Sequence, residues 1–330
     1  SDFYYQSKLG HREQFQQALA PMQPHTLHSA QESVSPLLPT TPVAVRHLAQ
    51  MEMESHAGYQ SLSHFWDQTG VLYRDGEADQ QGITPFGATG GVPPLTATFS
   101  NHPSQRETLP HFDPALCSGC GACWSYCPDS AIGATSLTPA QLLETALQMG
   151  GADALRPHLS KLAKQLSLLS ESGNAATLIQ QGWDALMAQA PLAETRRASA
   201  EAALATVISN LEQLPLAHTE PLFHQREQQK PQAGELLTVV INPDSCKGCG
   251  LCTTLCSEEA SRQEQEQAAL TLAPQQPTSI SLAYQQWRVW EQLPDSASST
   301  LIEYASRPEI GPLRATLLSR YAAMAVSGGD

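Results

Sequence analysis

Positive charge is scarce in this chain: 18 Lys plus Arg stand against 32 Asp plus Glu, a formal net charge of −14 over 330 residues. A phosphate backbone would meet a repelling mean field, so nucleic acid is excluded as the expected partner. Long apolar runs are missing as well. None approaches the roughly 18 residues of a membrane-spanning helix, and the opening SDFYYQSKLGHREQF lacks the basic-then-apolar layout of a secretory leader. The expectation is a cytoplasmic protein with no membrane segment. The chain starts at Ser1 rather than Met, which leaves a removed leader or a larger parent polypeptide open. The acidic balance suits docking on a basic protein surface, or solubility alone.

Cysteine is sparse too, eight in all, and none lies outside two short runs, CSGCGACWSYCP at 117–128 and CKGCGLCTTLCS at 246–257. Disulfide scaffolds are usually small secreted chains, and this one is long and bunches its thiols. A tetrahedral zinc site would use the C-x-x-C pairs and leave the third cysteine of each run unexplained. The spacing C-x-x-C-x-x-C-x-x-x-C is accounted for in full by iron–sulfur ligation. In two-cluster ferredoxins each run gives three thiolates to one cluster and its fourth to the other. Applied here, one four-iron cluster takes Cys117, Cys120, Cys123 and Cys256; the second takes Cys246, Cys249, Cys252 and Cys127.

The flanks speak for an internal duplication. FDPALCSGCGACWSYC aligns without a gap on INPDSCKGCGLCTTLC, sharing the proline, two glycines and all four cysteines. Gly119, Gly121, Gly248 and Gly250 can take positive φ and let backbone N–H groups approach the sulfurs. Pro114 and Pro243 open the loops, and Pro128 holds Cys127 extended, whereas Ser257 stands at the matching place in the second run. Trp124, Tyr126, Leu251 and Leu255 are expected to exclude water from the clusters. Lys247 sets a positive charge beside a thiolate-bound cluster, with a plainly solvated lysine as the alternative. His111 lies outside any ligand spacing.

The organisation reads as α+β: a two-cluster ferredoxin-like core interrupted by a helical insertion, with an extended N-terminal arm and a helical C-terminal tail. Residues 1–60, rich in Gln, His, Pro and Ser, form the arm. Residues 61–106 form a linking segment of short extended pieces, whose Phe65, Trp66, Tyr73, Phe86 and Phe99 pack on a partner domain. Residues 107–137 and 234–275 form the ferredoxin-like part, with GELLTVVI and AALTLA as strands and a hairpin on each side. Between them, 138–233 carries helical periodicity: Thr138 as N-cap, Pro139 at the first position and Gly150 at the stop, then stripes at Leu155, Leu159, Leu162, Leu166 and Leu169, at Leu178, Ile179, Trp183, Leu186 and Met187, and at Ala203, Val207, Ile208 and Leu211. Three short helices follow over 276–330.

Taken together, LPHFDPALCSGCGACWSYCPDSAIG, INPDSCKGCGLCTTLC, WRVWEQLPD and LLSRYAAMAVSGGD resemble the iron–sulfur region of a large fused 2-oxoacid:acceptor oxidoreductase, the pyruvate:ferredoxin oxidoreductase class. The likeness covers the chain from Ser61 to Asp330, and FGATGGVPP and the tail make it more specific than the cysteine runs alone. Such enzymes oxidatively decarboxylate a 2-oxoacid with coenzyme A on thiamine diphosphate, or run in reverse to fix CO2, and pass electrons singly to ferredoxin or a similar acceptor. Nothing here resembles a thiamine diphosphate or Mg²⁺ site, and no cysteine is left for a third cluster. The resemblance therefore implies that thiamine diphosphate, Mg²⁺ and a further 4Fe-4S cluster sit in partner domains or subunits of the same enzyme. This chain would carry electrons with no catalytic residue of its own. Two rivals differ in class: a ferredoxin-like subunit of a hydrogenase or formate-linked complex, and a metal-stapled interaction module.

Overall fold

The computed structural model describes residues 62–89, 96, 106–211 and 213–318. The expected arm, Phe99 and the end of the tail lie outside these residues. The segment read as short extended pieces is helical instead, with turns over Leu62–Phe65, Trp66–Gly70 and Val71–Asp75. Phe65 meets Phe86 edge to face at 5.0 Å, and Trp66 lies over Gly70, where a Cβ would sit 2.8 Å from the ring. The aromatics and glycines that suggested extended backbone thus pack along a helix. Tyr73, expected to pack on a partner domain, is exposed on this chain.

From residue 106 the chain runs as β1 (Thr108–Phe112), α1 (Ala122–Ser125), β2 (Ile132–Leu137), α2 (Pro139–Gln148), α3 (Leu159–Leu168), β3 (Gly173–Asn174), α4 (Ala175–Gln189), α5 (Glu194–Leu211), β4 (Pro215–Leu216), α6 (Gln225–Gln229), β5 (Leu236–Ile241), α7 (Leu251–Arg262), β6 (Leu270–Pro274), α8 (Pro277–Trp290), α9 (Ser298–Ala305) and α10 (Gly311–Thr316). The fold is α+β. Thr138 and Gln141 close a reciprocal capping box at the start of α2, behind Pro139 at the first helical position, and Asn174 caps α4 by accepting from the Thr177 amide at 2.9 Å. The apolar stripes of α2, α3, α4 and α5 meet in one core that includes Trp183.

The strands do not form a hairpin within each repeat. β1 pairs antiparallel with β6 and β2 with β5, so each sheet joins one repeat to the other. Every residue of β2 and β5 is buried. Antiparallel sheets commonly leave one face wet; this one is covered twice. Ile132, Ala134, Leu237, Val239 and Ile241 face the core that holds cysteines, whereas Leu137, Leu236 and Val240 face the helical core together with Trp287 and Trp290 of α8. Gly133 is required there, because a Cβ would come within 2.9 Å of both indoles. Buried Glu235 ties the sheet to the tail by accepting from Ser136 at 2.6 Å and from Thr300 of α9, while Arg226 bridges it to Glu303.

Candidate metal centre

The two cysteine loops begin alike. Asp113 accepts from the Ala115 amide and Asn242 from those of Asp244 and Ser245, each turning the chain out of its strand. The matched glycines follow at nearly equal positive φ, 74° and 77° for Gly119 and Gly121 and 71° and 77° for Gly248 and Gly250. α1 and α7 then start directly after the second glycine of each loop.

The strand register brings the runs together. Phe112 pairs with Leu270, so the loop leaving β1 lies beside the segment that leads from Cys256 into β6. Ile132 pairs with Ile241, so the turn that follows Cys127 lies beside the loop leaving β5. The consequence is two cavities. One is lined by Cys117, Cys120, Cys123 and Cys256, the other by Cys246, Cys249, Cys252 and Cys127. They are equal in size, about 20 Å³ each measured to the centre of a water-sized sphere, which for a 1.4 Å sphere makes a hollow roughly 3 Å in radius.

That hollow tests what the thiols can hold. A single zinc ion draws its thiolates to about 2.3 Å and leaves no hollow. Among the described residues no three His, Cys, Asp or Glu converge as one ion requires, and all eight cysteines are free of disulfides. Four thiols spaced around a small void fit a polynuclear group with a metal at each corner. A backbone amide already points at a sulfur in the second loop, Gly248 at Cys246 at 3.4 Å. The two fourth cysteines are held by the strands they precede, Cys127 by the Ala131 amide at 3.2 Å and Cys256 by the Leu270 amide at 3.3 Å. Burial pushes Cys117 and Cys252 up to about 12, Cys246 to about 11 and Cys123 well above its ordinary value. Such thiols stay protonated at neutral pH unless a cationic group displaces the proton.

Side chains far away in sequence support the loops. At the first, Tyr304 donates to the Gly119 carbonyl, Arg314 to that of Cys120 at 2.9 Å, and the Trp124 indole to the Arg314 carbonyl at 3.0 Å. Glu259 lines the first cavity and meets Arg314 at 3.4 Å. At the second, Lys247 is not simply solvated: it pairs at 3.0 Å with Asp129, which is 2% exposed. Arg106 lies under the same loop, its Nη1 donating to the carbonyls of Cys246, at 2.7 Å, and of Pro243, and its Nε to Gln275. Burial lowers its pKa, against the pull of Cys246, Tyr284 and Asp244. No local pattern marks Arg106, Tyr304 or Arg314, whereas Asp129 directly follows the Cys127–Pro128 pair. Of the expected water-excluding side chains, Trp124 is buried and Leu255 partly so, but Tyr126 and Leu251 are exposed.

Residues 110–133, which span the first cysteine run, match the family model of the 4Fe-4S binding domain. Comparison with curated proteins and with solved structures returns no match. The cysteine spacing, the two thiol-lined hollows and the family match agree on an iron–sulfur protein with a role in electron transfer.

Proposed function

We propose that this chain is the electron-transfer subunit or domain of a thiamine-diphosphate-dependent 2-oxoacid:ferredoxin oxidoreductase, of which it conducts single electrons and performs no substrate chemistry. Cys117, Cys120, Cys123 and Cys256 would hold one 4Fe-4S cluster and Cys246, Cys249, Cys252 and Cys127 the other. The observation that carries the two-cluster reading is the pair of equal hollows, each lined by three thiols of one run and the fourth of the other. Bound clusters supply reversible one-electron carriage. The chain supplies thiolates, amide donors to sulfur, and an interior that keeps water off the first site.

The 2-oxoacid context rests on the resemblance of WRVWEQLPD, FGATGGVPP and the tail. In that reading 107–137 and 234–275 form the ferredoxin-like domain, 138–233 an inserted bundle and 61–106 a segment against a partner domain. Thiamine diphosphate, Mg²⁺ and a further cluster belong to partner domains or subunits, and the acceptor is ferredoxin or a similar carrier. Anaerobic purification of the native complex tests both levels. The expected result is about eight irons and eight sulfides per chain, EPR signals after dithionite, and coenzyme A-dependent 2-oxoacid oxidation by a complex containing thiamine diphosphate. Reducible clusters without thiamine diphosphate would leave the hydrogenase or formate-linked alternative. Zinc without sulfide would leave only a metal-stapled module.

A further inference from the structure

The charged groups facing the two cavities are not equivalent. Around the first, Glu259 is met by Arg314 at 3.4 Å and by Arg262 at 2.9 Å. Around the second, Asp129 is met by Lys247 at 3.0 Å, and Asp244 accepts from the Tyr284 hydroxyl. That leaves Arg106. It is 7% exposed, and among the described residues no carboxylate lies within ion-pair distance of it; its Nη2 has no hydrogen-bond partner. The side chain runs directly beneath the loop, since a Cβ on Gly248 would stand 3.2 Å from the Cβ of Arg106. A buried guanidinium stays charged, and a buried charge is retained where something pairs with it. Asp244 acts on it from beyond ion-pair distance and less than Cys246 does; four thiolates around a cluster are the stronger negative group within reach.

We infer that Arg106 is the fixed counter-charge of the second site and makes it the end where an electron rests, so that electrons entering at the first site run toward the exposed Cys249. The inference rests on the two-cluster reading above. Reduction adds one negative charge to a cluster, and a fixed cation at short range in a medium of low dielectric favours the reduced form. Arg314, paired with Glu259 and 18% exposed, acts on the first site with a weaker field. In the transfer one electron leaves the first cluster, which is oxidised, and enters the second, which is reduced; no bond or proton moves. A low-potential one-electron donor supplies it and a one-electron carrier removes it. Of the eight thiols only Cys249 is exposed, so the second site is also the one a carrier can approach.

Anaerobic redox titration of the full chain followed by EPR tests the inference. Cys249→Ser and Cys120→Ser assign the signals by altering one each. In the unaltered chain the first electron taken up is expected in the signal that Cys249→Ser alters. Arg106→Gln is expected to shift the equilibrium between the two sites at least tenfold toward the first, 59 mV for a one-electron couple, with the first midpoint unmoved and Arg106→Lys restoring most of the shift. Loss of the second cluster in Arg106→Gln with retention in Arg106→Lys also supports a charge role. First reduction at the Cys120-altered signal, unmoved midpoints in Arg106→Gln, or loss of the second cluster in both variants would overturn it, the last making Arg106 a structural prop. An unaltered chain without iron or EPR signals would instead sink the two-cluster reading itself.

Discussion

The two cysteine loops start as copies and part company after the fourth cysteine. In the first, Pro128 follows Cys127, α1 is only four residues long, and Ser130 turns at φ 48° to aim the Ala131 amide at the Cys127 sulfur. In the second, Ser257 stands where the proline would be, and α7 runs on through Cys256 to Arg262. Both solutions end with the fourth thiol held by the amide that opens a strand, β2 in one case and β6 in the other. The longer helix does something more. It delivers Glu259 to the first cavity and Gln263 to Ser118 of the first loop at 3.2 Å. The loop with proline after its fourth cysteine closes on itself, and the loop with serine there reaches across to its twin.

The comparison breaks most decisively at the fourth cysteines. If each belongs to the opposite run, Cys127→Ser should empty or alter the second site and spare the first, while Cys256→Ser does the reverse. Iron content falling by about half in the variants that lose a cluster, with complementary EPR signals surviving, is the expected outcome. Loss of the same signal from Cys127→Ser and Cys123→Ser would refute crossed ligation. A smaller effect is expected from Ser257→Pro. Proline inside α7 removes a helical hydrogen bond and clashes with the preceding turn, at about 3 kcal/mol. Thermal or urea unfolding should register that loss, and the first site should become more open to chelators because Glu259 and Gln263 leave it. Pro128→Ser should cost less than half as much.

These differences also mark how far the sequence could be read. The α+β class, the thiol sets around each cavity and the cap of α2 were legible because they depend on local chemistry: cysteine spacing, and Thr138 ahead of Pro139. The Asn174 cap of α4 was not read. Nor was the strand pairing. GELLTVVI and AALTLA read as strands, but nothing in either says that its partner lies in the other repeat, since register is set by which faces become buried together. The helical turns after Leu62 were hidden because glycine and aromatics, counted by type, suggest extended chain, while Gly70 is there to receive the Trp66 ring. Arg106, Tyr304 and Arg314 were invisible for a third reason. Each acts on a backbone carbonyl, and a carbonyl leaves no residue-type signature in the run it belongs to.

The glycines sharpen the comparison at a lower energy. Gly248 and Gly250 share a φ near 75°, where an L residue pays roughly 1–2 kcal/mol, yet their surroundings differ. A Cβ at Gly248 would meet the Thr108 carbonyl oxygen at 2.8 Å, whereas one at Gly250 would meet the flexible Leu272 side chain at 3.2 Å and the Thr253 hydroxyl at an ordinary 3.8 Å. Gly248→Ala should therefore be clearly more destabilising than Gly250→Ala, and should loosen the contact between β1 and the second loop. Equal losses in chemical denaturation would mean that backbone strain alone governs both positions.

The least perturbing test at neutral pH concerns what stands behind each loop. Arg106 backs the second. The first is backed by the segment His218–Thr219, where Thr219 lies against Gly119 and His218 packs edge to face on Phe223. His218 is buried, neither ring nitrogen has a hydrogen-bond partner among the described residues, and burial, helped by His224, lowers its pKa from 6.5 to about 4. A base whose folded pKa is depressed contributes stability above 6.5 that drains away as pH falls toward 4, because the unfolded chain takes up the proton first. One unit below 6.5, at pH 5.5, the loss is about 1.4 kcal/mol. His218→Phe keeps the ring contact and removes the titration. Its stability should match the unaltered chain at pH 7.5 within experimental spread and exceed it at pH 5.5. The same gap at both pH values would mean that the fold does not depress the His218 pKa.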